Sequence, residues 1–283
     1  MAVLLLAGCC KDKDNTTGSA KVKVHVDNFA ISQEDIGFKS ASDVADYSGV
    51  KAITLAFYTS TGDEQYKVTQ MRANAVNYTT FGDFDLSLPM GSYTMVVIGY
   101  GLNEGEPAIT LTSPTSATFG DYPARETFVA TQAVNITNTN AVELTATLNR
   151  VVAKLKVLST DGRTANANSV RITTSGGSKA FNPSTGLATI NTGFSNTVNI
   201  TTTAVGSVAG PVSYLFLSTD EQTVNVTIDV LDENNQTISH KVVNNVPLQR
   251  NRMTKLVGSI FTASGDGSFQ VETEWLPETE VTF

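Results

Sequence analysis

From Lys21 onward, apolar residues recur with a period of two, the pattern of a strand that buries one face. Val22, Val24 and Val26 alternate with Lys21, Lys23, His25 and Asp27. Ile53, Leu55 and Phe57 alternate with Thr54 and Tyr58 on the opposite face. Val142, Leu144, Ala146 and Leu148 alternate with Glu143, Thr145 and Thr147, and Val224, Val226, Ile228 and Val230 with Thr223, Asn225, Thr227 and Asp229. All four read as half-buried strands. Turn chemistry falls between such runs, at Ser60-Thr61-Gly62-Asp63, Pro89-Met90-Gly91, Thr160-Asp161-Gly162, Asp232-Glu233-Asn234-Asn235 and Ser264-Gly265-Asp266-Gly267. No segment sustains a helical period over ten residues. Ser32, with Asp35 three residues on, allows one short helical turn between Gln33 and Asp46. Many short strands with frequent turns predict an all-β protein of antiparallel sandwiches.

A sandwich takes about 100 to 130 residues, so the body divides into two in tandem. The Thr/Asn-rich stretch Asn135 to Asn140 separates strand material on either side, and the reading assigns 21–146 to an N-terminal sandwich and 147–283 to a C-terminal one. The start of the chain is different. Met1 to Gly8 is an apolar run, far short of the roughly 18 to 20 residues of a membrane-spanning helix. It reads as the remnant of a secretory signal, residues 1–8. Leu6-Ala7-Gly8-Cys9 resembles the bacterial lipobox, which makes Cys9 the candidate lipid attachment point. Residues 9–20 are polar and flexible in composition, a tether between lipid and folded body.

Composition narrows the chemistry. Of 283 residues, 19 are Lys or Arg and 27 are Asp or Glu, a formal charge of −8, which disfavours nucleic acid and anionic lipid surfaces as partners. The two cysteines are adjacent, Cys9 and Cys10, and there are two histidines, His25 and His240, one in each half. That is little material for a disulfide framework, a metal centre or imidazole catalysis. Asp83 and Asp85 share one face of a strand, a spacing that can bind calcium or serve as an acid/base couple, yet this is also how a wet sheet face is built. Gly176-Gly177-Ser178-Lys179 lacks the spacing of a phosphate loop and reads as a hairpin turn. Glu272, Glu274, Glu278 and Glu280 form an acidic edge that could hold a cation, but it reads more readily as one that discourages edge-to-edge association. There is no Gly-x-Ser-x-Gly elbow. The expectation is a non-enzyme with no cofactor and no metal.

Several stretches, in order, resemble the fimbrillins, the lipoprotein pilins of Bacteroidales-type surface pili. They are Gly91-Ser92-Tyr93-Thr94-Met95-Val96-Val97 with Gly99-Tyr100-Gly101, then Glu126-Thr127-Phe128-Val129-Ala130, then Leu148-Asn149-Arg150-Val151-Val152-Ala153-Lys154-Leu155-Lys156-Val157. The last runs from Val246 through Arg250-Asn251-Arg252-Met253-Thr254 to Thr262. The resemblance implies two transthyretin-like or Ig-like sandwich domains and a structural role in a fimbrium at the outer membrane, with other pilin subunits as partners. It further implies that stalk subunits lose their first strand to an Arg-specific protease and that a donated strand fills the groove. On that scheme Lys21 to Ala30 is the exchanged strand, with Val22, Val24 and Val26 filling its pockets. The chain departs from the scheme at the processing loop. No arginine lies between Ile31 and Val50, the first in the chain is Arg72, and Lys39 is the only basic residue there. Either Lys39 marks the processing site of a stalk subunit, or the first strand is kept, as suits an anchor. The rival expectation is a monomeric surface lipoprotein that binds a glycan or host ligand through Tyr47, Tyr78, Tyr100 or Tyr122.

Overall fold

The computed structural model describes residues 18–30, 41–44, 46–72, 80–262 and 269–275. Cys9, most of the tether, Lys39 and Tyr78 lie outside them. The first half contributes β1 (Ser19–Ala30), β2 (Ala41–Asp43), β3 (Ala52–Thr59), β4 (Glu64–Met71), β5 (Asp83–Pro89), β6 (Gly91–Tyr100), β7 (Thr110–Ser113), β8 (Ser116–Thr118), β9 (Thr127–Ile136) and β10 (Val142–Arg150). The second contributes β11 (Ala153–Ser159), β12 (Ser169–Thr174), β13 (Ala180–Asn182), β14 (Leu187–Ala188), β15 (Phe194–Asn199), β16 (Val212–Leu215), β17 (Glu221–Leu231), β18 (Thr237–Gln249), β19 (Arg252–Gly258) and β20 (Gln270–Trp275). The protein is all-β, as the alternation predicts. Ala41–Asp43, within the stretch that allows a helical turn, is a strand paired to the end of β1.

Strands of the first half follow the order β2-β1-β10-β9-β6-β3-β4, with β5 also on β1. β10 meets β9 only at Asn149 with Val129 and Arg150 with Phe128. There the sheet folds over, and β5, β1 and β10 face β9, β6, β3 and β4 across a core containing Val22, Val24, Val26, Leu55, Phe57, Met95 and Leu148. The second half is a sandwich of β16-β11-β19-β20 against β15-β12-β17-β18. Its core contains Leu155, Val157, Ile172, Val226, Ile228 and Leu256. Ala146 falls inside β10, next to Val26 of β1.

One strand departs from the half-buried reading. In β3, Thr54 and Tyr58 are as buried as Ile53 and Phe57. The cause is a third core on the far face of β3 and β6, built from Ala56, Tyr58, Ile98 and Tyr100 together with Leu111, Phe119, Val151, Val152, Phe181 and Phe216. Phe181 and Phe216 stack with centroids 4.1 Å apart. A small sheet, β14-β13-β8-β7, covers this core and crosses between the halves, pairing Ala117 with Phe181 and Thr118 with Ala180. Gly176-Gly177 is therefore not a hairpin turn. β12 pairs with β15 and β17, and the chain leaves it for the crossing sheet. Gly177 has φ of 82°, and a Cβ there would meet Leu215 at 2.7 Å, so glycine suits both the backbone angle and the space.

Candidate functional site: the groove filled by the first strand

β1 carries Ser19-Ala-Lys-Val-Lys-Val-His-Val-Asp-Asn-Phe-Ala. β-Branched valines at alternate positions favour extended backbone, and charged residues between them keep the other face wet. Ala20, Val22, Val24, Val26 and Phe29 are at most 1% exposed. The strand is paired on both sides over residues 22–25, parallel to β10 and antiparallel to β5, and again over residues 28–30, between β10 and β2. The register sets Lys23 between Asp85 and Glu143, and His25 Nδ1 lies 2.5 Å from Asp83 Oδ1. Such cross-strand charge pairs fix register, since a one-residue slip would turn the valines outward.

At Asp27 the register with β10 shifts. This bulge moves the buried phase from even to odd positions, and Phe29 turns inward. Its ring contacts Phe128 and Tyr47, at centroid distances of 5.0 and 5.7 Å. Beneath it lies Gly99, where a Cβ would come within 2.9 Å of the Phe29 ring and 3.2 Å of Leu148.

The walls of this aromatic seat are held by Arg150. Its Nη2 donates to the Tyr47 hydroxyl at 3.0 Å and pairs with Glu126 at 2.7 Å, and its guanidinium lies 4.9 Å from the Phe128 ring centroid. Burial, then the Glu126 charge, pushes the Tyr47 phenol well above its ordinary range, against the opposing pull of Arg150. Arg150 Nη1 also donates to Asn251 Oδ1 at 3.2 Å, and the Asn251 amide donates to the Val152 carbonyl at 2.9 Å. Asn251 has φ of 58°, a backbone conformation asparagine tolerates. The segments that carry the fimbrillin resemblance thus converge: Glu126, Phe128 and Asn251 surround the buried guanidinium of Arg150, and Gly99 pairs with Phe128 on the adjacent strand.

The remaining candidates are dispersed. Asp83 pairs with His25, and Asp229 pairs with both Arg171 and His240, on the outer faces of separate sheets. Glu272 and Glu274 lie on β20, at the edge of its sheet. Among the described residues, no three His, Cys, Asp or Glu side chains gather to hold a metal. Tyr100 is buried and Tyr47 is half-buried against the first core, while Tyr122 is 41% exposed. Sequence reasoning missed Phe29, because the bulge interrupts alternation. It also missed Arg72, which donates to the carbonyls of Val44, Val50 and Tyr47 and lies 4.3 Å from the Phe81 ring centroid. Arg72 pins the chain just beyond the region that contains Lys39.

These features define a double β-sandwich protein with its first strand inlaid in a groove. The chain belongs to DUF6562, a family of unknown function, which matches residues 28–282. No curated protein matches it. Among solved structures, it is similar to a candidate adhesin from Bacteroides ovatus, with a TM-score of 0.55 at 13% identity over 93% of this chain and 97% of that one. A second candidate adhesin from Bacteroides ovatus aligns with a TM-score of 0.50 at 14% identity, over 85% and 88% of the two chains. The fimbrial anchor protein Mfa2 from Porphyromonas gingivalis aligns with a TM-score of 0.49 at 14% identity, over 91% and 98%. At these identities the likeness is one of fold.

Proposed function

We propose that this protein is a fimbrial subunit of the outer cell surface, held to the outer membrane by lipid on Cys9 and joined to other subunits by strand complementation. The observation that carries the reading is β1 itself. A strand that buries Ala20, Val22, Val24, Val26 and Phe29 and pairs on both edges leaves, when withdrawn, a groove of apolar pockets bordered by unpaired backbone. A strand from a neighbouring subunit satisfies both. The role is structural, not catalytic. Its partners are other pilin subunits, with host ligands reached through the assembled fibre. Cleavage near Lys39 would make it a stalk subunit, and retention of β1 would make it an anchor.

The test is limited proteolysis of the purified protein in 31–40, followed by incubation and sizing without boiling. Ladders of heat-stable oligomers are expected from a stalk subunit. An anchor, with β1 retained, is expected to resist cleavage there and to capture one partner subunit. A cleaved protein that stays monomeric and takes up no partner would overturn strand complementation. Cys9→Ala is expected to abolish incorporation of labelled fatty acid and to release the protein from the membrane fraction.

A further inference from the structure

The positions that β1 buries are not equivalent. Ala20, Val22, Val24 and Val26 are small, and most strands of alternating apolar character supply such residues. Phe29 is the one large side chain β1 buries, and it is wholly covered. It lies three residues beyond Val26, and the bulge at Asp27 sets that spacing. A strand with unbroken alternation would present residue 28 or 30 to the interior and leave the ring's place empty. The floor of that place is a glycine, where a methyl group would meet the seated ring at 2.9 Å.

We infer that the seat of Phe29, lined by Tyr47, Gly99, Phe128 and Leu148, is the selectivity pocket of the groove. It takes an aromatic ring from an extended polypeptide segment, and it takes it only three residues past the last small apolar residue. This inference rests on the proposed strand exchange and specifies its partner: a segment with small apolar residues at i, i+2, i+4 and i+6 and an aromatic at i+9. Gly99 sets the depth of the pocket. Arg150 is a positioning residue, holding Tyr47 and Phe128 from behind.

The experiment uses the full chain with a site-specific protease sequence placed within 31–40 and then cut. Fluorescent peptides spanning residues 18–30 compete for the groove, in the native sequence, with Phe29→Ala, with Phe29→Leu, and with Asp27 deleted. Bound label is read on native gels. The native peptide is expected to enter, while the Phe29→Ala and Asp27-deleted peptides bind at least about tenfold more weakly, as follows from removing a buried aromatic or displacing it. In a Gly99→Ala chain the preference is expected to shift from Phe29 toward the Phe29→Leu peptide. Equal binding of native and Phe29→Ala peptides would overturn the pocket and leave strand exchange standing. Failure of every peptide to enter would overturn both. Should Gly99→Ala fail to fold, the peptide series on the unsubstituted chain decides alone.

Discussion

β1 and β11 occupy the same place in their respective sandwiches and differ in how they are attached. Each opens its half, runs parallel to a late strand of that half (β10 or β19), and pairs antiparallel with another (β5 or β16). Each buries alternate side chains. Their ends are not alike. β11 follows β10 after only Val151 and Val152, both buried in the core between the halves. Beyond its other end, Asp161 is bound to the segment after β19. β1 instead is preceded in sequence by the polar stretch Lys11 to Gly18 and separated from β2 by residues 31–40. Two strands with equivalent interiors thus differ in their attachments, and on the proposed strand exchange this difference is what makes β1, and not β11, the exchanged one.

The most disruptive way to break this comparison is a carboxylate in each strand. Val24→Asp and Val157→Asp each place an unpaired charge in an apolar core, a cost of several kcal/mol against a total stability of about 5 to 15. Val157→Asp is expected to unfold the second sandwich. Val24→Asp is expected to expel β1, leave the rest of the first sandwich intact, and bind a native 18–30 peptide in trans. Hydrogen exchange in each variant's own sandwich separates the outcomes: protection of β6 and β9 should persist in Val24→Asp, and protection of β12 and β17 should vanish in Val157→Asp. Equal loss in both variants would mean that β1 is as integral as β11.

Removing Arg150 comes next. Arg150→Ala leaves Glu126 short of its buried partner, which costs about 3 to 5 kcal/mol. Because Arg150 also holds Tyr47 and Phe128 against Phe29, hydrogen-exchange protection is expected to fall further at Asn28 to Ala30 than along β11. A uniform fall would make Arg150 a common rivet of the two halves, with no special bearing on β1.

Much of this architecture was legible in the sequence, and the rest was hidden for physical reasons. Val22, Val24 and Val26 announce β1 because period-two burial is a local property. Phe29 escapes the same reading because a bulge is set by the partner strand, which the local sequence does not reveal. Thr54 and Tyr58 mark an outer face by their polarity, but a third core that includes Phe119, Phe181 and Phe216, brought from distant segments, covers that face. Likewise, Arg150 and Asn251 are 101 residues apart, and only the fold shows that two segments chosen for family resemblance touch. Gly177 marks a change of direction correctly, although the direction is out of the sheet and not back along it.

The smallest expected effect concerns the trailing end of β11. Asp161 accepts hydrogen bonds from Ser259 Oγ at 2.6 Å and from the amides of Ile260, Phe261 and Thr262 at 2.9 Å each. Burial alone would raise its carboxyl, but these donors outweigh burial and hold it below its ordinary value of 3.8. A carboxylate with a depressed folded value stabilises fully above the unfolded value and loses that contribution as pH falls through the folded one. Asp161→Asn is therefore expected to cost about 1 to 2 kcal/mol at neutral pH. The difference from the unsubstituted chain should shrink once the pH drops below 3.8. Denaturant midpoints at pH 7 and pH 3 measure it. If Asp161 is part of what retains β11, the variant should also raise hydrogen exchange in β11 at neutral pH while leaving β1 unchanged. A matching rise in β1 would show that the two strands are released together, and attachment would no longer explain their difference.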